Sequence, residues 1–140
     1  MAVPTSTPAG DYALPTDLER FVHGCGGVRE VERYLESCRN GKIYVPSEFV
    51  LEAMQDRIHA SVVGQGRVAS AIPNVYRTHD MVMDHYCALT YSGLLDHRSS
   101  TGESGVAMIL SEQGPGRDVD RIAQAMGITS GELKKILKIK

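Results

Sequence analysis

Apolar residues recur along this chain mostly at helical spacing, three and four apart. A Thr16-Asp17 start signal introduces a short segment, Leu18 to Val22, which the Gly24 to Gly27 stretch around Cys25 breaks. The pattern predicts a second helix from Val28 to Cys38, with Val28, Val31, Tyr34 and Leu35 on one face and Asn40-Gly41 closing it. Lys42 to Val45 reads as a short strand. Pro46-Ser47 then opens an amphipathic helix in which Val50, Met54, Ile58 and Val62 recur every fourth residue beside Leu51, until Gly64-Gln65-Gly66 ends it. The stretch through Ile72-Pro73-Asn74 is open between a loop and an interrupted helix. A longer helix is predicted from Thr78 to about Gly93, with Met81, Val82, His85, Tyr86 and Leu89 on one side, and Arg98 to Ser104 reads as a linker.

The C-terminal pattern predicts three further helices. Val106 to Glu112 is a short apolar helix stopped by Gln-Gly-Pro-Gly. In the next, Val119, Ile122, Ala123 and Met126 share a face, and Asp118 and Asp120 occupy the first turn, where negative charge complements the helix dipole. Gly127 suits a left-handed cap that turns the chain sharply. Thr129 is then an N-cap, Glu132 its capping-box partner three residues on, and Ile128 and Leu133 are placed as a hydrophobic staple. Leu133, Ile136 and Leu137 supply the buried face of this last helix.

The segment resembles the helix-turn-helix superfamily. Ile122, Ala123, Gly127, Ile128, Leu133 and Ile136 fall on that superfamily's recurrent apolar and glycine positions. The resemblance covers only some 20 to 35 residues and implies a recognition helix over 130–138 lying in the major groove of double-stranded DNA. Ser130, Gly131, Lys134 and Lys135 would then reach base edges from a helix headed by Thr129, with Lys138 and Arg117 or Arg121 on phosphates. More faintly, Met81 to Thr90 is similar to the lead helix of phage antitermination proteins and of sigma-factor region 4.

The fold expected is mainly α: a mobile arm over 1–15, a helical body over 16–97 and a three-helix DNA-binding module over 105–140. Because the motif stops with the chain, its core is expected to be completed by Val106 to Leu110, by the body or by a second subunit.

Composition fits this picture. A chain of 140 residues with 42% hydrophobic content is the size of one ordinary domain or a domain with an appendage. Net charge is only -2, but it is unevenly spread. From 117 onward six basic residues stand against three acidic ones, a local +3, while residues 1 to 116 carry nine basic and fourteen acidic, or -5. Local charge is what phosphate feels. Three cysteines, Cys25, Cys38 and Cys87, with no paired spacing fit a reducing compartment rather than a disulfide framework. With no signal-peptide pattern and no apolar run long enough to span a bilayer, a cytoplasmic protein with no membrane partner is expected.

Other chemistry is thinner. His79-Asp80, with His59 and Asp96, resembles the metal-ligand set of HD-type phosphohydrolases, but ordinary helix-end residues explain them more simply. His85 and Cys87 diverge on a helix, His23 and Cys25 flank a glycine, and Gly64-Gln-Gly66-Arg67 lacks the remaining features of a phosphate loop. No enzyme, metal or cofactor is expected. The expectation is a sequence-specific regulator of transcription acting as a homodimer, with RNA polymerase or another regulator as a further partner. The alternatives are a phage or plasmid protein marking a DNA site for antitermination, replication or packaging, and a helical adaptor or chaperone whose C-terminal hairpin binds protein.

Overall fold

The computed structural model describes residue 5, residues 18–109 and residues 114–139. Six α-helices and one 3₁₀ turn supply their regular structure, with no strand among the described residues: α1 (Leu18–Arg39), α2 (Glu48–Gln55), α3 (Gln65–His79), α4 (His85–Thr101), the turn Pro115–Arg117, α5 (Val119–Met126) and α6 (Ser130–Leu137). The fold is mainly α. The expected arm over 1–15 lies outside the described residues save Thr5.

From residue 18 onward the chain divides into two compact units between His59 and Ala60. That boundary differs from the one expected in the 98–104 linker. It assigns α3 and α4 to the same unit as α5 and α6.

The first unit is α1 and α2. Helix α1 absorbs both of the first two predicted helices, and the break expected around Cys25 is a single residue, Gly27, whose φ of 72° and ψ of -168° interrupt the spiral. This break rotates the face that follows it. Val22, Cys25, Glu30 and Tyr34 are buried, whereas Val28, expected on the inner face, is exposed. The two helices touch closely at Gly26, where a Cβ would come within 2.5 Å of Val50 Cγ2. Glu30 is satisfied by the chain entering α2: it accepts from Tyr44 Oη at 2.7 Å and Ser47 N at 3.2 Å, and from Arg33 Nη1 at 3.0 Å. The Tyr44 hydroxyl, then Ser47 and Arg33, hold its carboxyl below the usual range against the opposing effect of burial. Tyr44 also stacks edge-on against Tyr34 at 5.2 Å. These contacts turn Tyr44 inward from a loop over 42–45, in place of the expected strand, while Lys42, Ile43 and Val45 stay exposed.

Helix α2 stops at Gln55, well short of the expected Val62. Ile58 and Val62 are exposed, while Val63 packs on the core of the second unit and Ser61 Oγ donates to the Gly93 carbonyl at 3.4 Å. Extended backbone serves these contacts because it alternates sides, which a helix does not.

In the second unit α3 runs unbroken through Pro73, resolving the ambiguity left by Ile72-Pro73-Asn74. Asp80 ends it in the left-handed region, and Asp84 starts α4 by accepting from Cys87 N at 2.7 Å. The helix predicted from Thr78 therefore begins seven residues later, Met81 is exposed, and it continues to Thr101 through most of the expected linker. The predicted helix from Val106 is absent over 106–109, which are not helical and carry exposed Val106 and Met108; its remainder, 110–112, lies outside the described residues. One core joins the rest: Val68, Ile72 and Val75 of α3 and Ala88 of α4 meet Ile122 and Ala123 of α5 and Leu133 of α6.

Candidate nucleic-acid interface

The residues expected to meet DNA lie on two short helices, the turn between them and the residues that flank them: Arg117 stands in the 3₁₀ turn before α5 and Lys138 caps α6. Helix α5 buries Ile122 and Ala123 and seats Val119, Ala125 and Met126 around the same core. It ends at Gly127, with φ 69° and ψ 29°. There the Gly127 N–H donates to the Gln124 carbonyl at 3.2 Å and the Ile128 N–H to the Ala123 carbonyl at 3.0 Å. This is a Schellman closure, which uses the helix's last carbonyls and turns the chain at once.

Thr129 caps α6. Its Oγ1 accepts from Glu132 N at 3.2 Å, and Glu132 Oε2 accepts from Thr129 N at 2.8 Å, completing a capping box. Those bonds from Thr129 hold the Glu132 carboxyl below its ordinary range. Leu133 is fully buried and Leu137 and Ile128 are half-buried against the core. Ile136 is not part of that face: it is 38% exposed.

The expected contact residues are at the surface but chemically unequal. Lys134, Lys135 and Lys138 are exposed, and none has a carboxylate within ion-pair distance among the described residues. Lys138 closes α6 in the left-handed conformation, φ 55°. Gly131 is exposed in the first turn of α6, and Arg117 is exposed in the 3₁₀ turn. Ser130 is half-buried and donates from Oγ to Asp120 Oδ1 at 2.5 Å, tying the first turns of the two helices together. The Thr129 hydroxyl is engaged in the capping box, donating to Glu132 Oε2 at 2.7 Å. Arg121 is exposed, with Nη1 3.4 Å from Asp118 Oδ2.

All three carboxylates of the segment are therefore occupied locally. Asp118 has a second neighbour that spacing did not reveal, the buried His85 at the start of α4, whose Nδ1 lies 3.3 Å from Asp118 Oδ2 without hydrogen-bond alignment. Burial pushes the His85 pKa down, Arg121 adds to the effect, and Asp118 and Asp84 oppose it.

The other sequence candidates fall elsewhere. Asp96 pairs with Arg67 at 2.8 Å, His79 is the last residue of α3, and Gly64 to Arg67 forms the entry to that helix. No cluster of three or more metal-ligating side chains occurs among the described residues, and none of their helices is long and apolar enough to cross a membrane. No family model, curated protein or solved structure matches the chain.

Proposed function

We propose that α5, the Gly127 turn and α6 form a helix-turn-helix that reads double-stranded DNA, and that the protein is a transcriptional regulator acting as a homodimer. The supporting observation is the division of labour on α6. Leu133 anchors it in the core, Lys134, Lys135 and Lys138 stay exposed, and the neighbouring acidic side chains are engaged with Thr129, Ser130 and Arg121. Such a helix offers cations to phosphate while its position is held from behind. Dimerisation follows from reach, since one short recognition helix covers only a few base pairs.

The test is a titration of the protein against its own upstream DNA at several salt concentrations, with Lys134→Ala plus Lys135→Ala alongside. Each lost phosphate contact removes about 0.9 from the slope of log affinity against log salt, so the double variant should lower the slope by nearly 2 if both lysines meet phosphate. Weak, equal binding by both proteins at low salt would defeat the proposal.

A further inference from the structure

The second unit contains a cavity of about 600 Å³, a size typical of small-molecule sites. Its floor is one stripe of α4: Cys87, Tyr91, Leu94 and Arg98 follow at intervals of four, three and four, so they share a helix face. Val82 and Met83 line it near the start of α4, and the non-helical segment Gly105–Ala107 lines it too.

Its polar groups are few and sorted by position. Asp84, also on the wall, is buried and committed to capping α4. Arg98 lies in the last turn of the same helix, fourteen residues on, or about 21 Å along the axis at 1.5 Å per residue. Its Nη2 donates to the Gly105 carbonyl. A guanidinium has five N–H donors, so this bond leaves others for an anion. His79 also lines the cavity, from the end of α3. The charges thus favour an anion at the Arg98 end and oppose one near Asp84, with an apolar run between.

We infer that this cavity binds an elongated apolar carboxylate, its chain along Leu94 and Tyr91 and its carboxylate on Arg98. The inference does not depend on DNA binding.

Calorimetric titration of the full chain with decanoate, and in parallel with 1-decanol, tests it. Decanoate should saturate one site and bind about tenfold more tightly than the alcohol, the value of one charge-assisted hydrogen bond. Arg98→Gln changes a half-exposed side chain and should erase that preference, leaving alcohol binding unchanged. Leu94→Trp, if its circular dichroism and melting match the wild type, should block both ligands. Absence of saturable decanoate binding, equal affinity for acid and alcohol in the wild type, or a preference that survives Arg98→Gln overturns the inference.

Discussion

His85 is a basic side chain held where its charged form is unwelcome. It is buried at the first position of α4, and burial with the nearby Arg121 charge outweighs the help of Asp118 and Asp84, so its pKa is lowered from 6.5. The unfolded chain therefore takes up this proton more readily than the folded one. Stability from this group is complete above pH 6.5 and is lost as pH falls from there through the lower folded value. Urea denaturation should show a midpoint that declines between pH 7 and 5.5, and His85→Gln should flatten that decline. Glu30 acts in a lower window, because its pKa is held below 4.5 in the folded state and its contribution fades only as pH falls beneath that value. Its first partner is Tyr44, through the 2.7 Å bond. Tyr44→Phe should cost about 1–3 kcal/mol in urea denaturation at pH 7, by removing a donor from a buried charged acceptor. A loss below a few tenths would show that Ser47 and Arg33 suffice without it.

Helix α6 shows how local chemistry fixes an element of only eight residues. Thr129→Ala should cost about 1 kcal/mol in thermal unfolding, because it removes the acceptor for Glu132 N. At the other end Lys138 adopts a left-handed conformation that costs an L-residue about 1–2 kcal/mol, against about 0.3–1 kcal/mol gained from a cation at a helix C-terminus. Lys138→Gly should thus stabilise the protein slightly while weakening any DNA binding, and a lower melting temperature would contradict that balance. The Thr129 cap and the Gly127 turn were legible in the sequence because caps and left-handed glycines act over three or four residues, whereas Lys138 was expected inside a helix over 130–138 and closes it instead. Helix α3 was obscured by Pro73, although Val68, Ala71, Ile72 and Val75 form a full helical stripe; the proline removes only the bond to the carbonyl of Ala69, an exposed residue. For α2 the periodicity misled, since the stripe continues through Ile58 and Val62 where the chain has already turned extended toward Gly93. The candidate lysines were legible as exposed positions, whereas the pairing of Asp118 with His85 joins residues distant in sequence and left no periodic trace.

The second unit has a single core, and that core decides how α6 is supported. A hairpin merely appended to a helical body would bury its apolar face within itself; here Ile122, Ala123 and Leu133 share a cluster with Val68, Ile72 and Val75 of α3. The completion expected from Val106 to Leu110, the body or a second subunit therefore comes from α3 and α4, within the same chain. Leu133 is fully buried, so Leu133→Ala should destabilise by about 2–5 kcal/mol, combining lost transfer energy with a cavity. The pattern of loss is more telling than its size. With one core, native-state hydrogen exchange should show amides of α3 and α5 losing protection together with those of α6, because they unfold as one cooperative unit. If only α6 amides became faster, the helix would be a satellite free to fray alone. The shared core also bears on the proposed DNA reading: if α6 is the recognition helix, its Leu133 anchor in the cluster shared with α5 and α3 sets its position, so Leu133→Ala should weaken DNA binding even with every surface lysine retained.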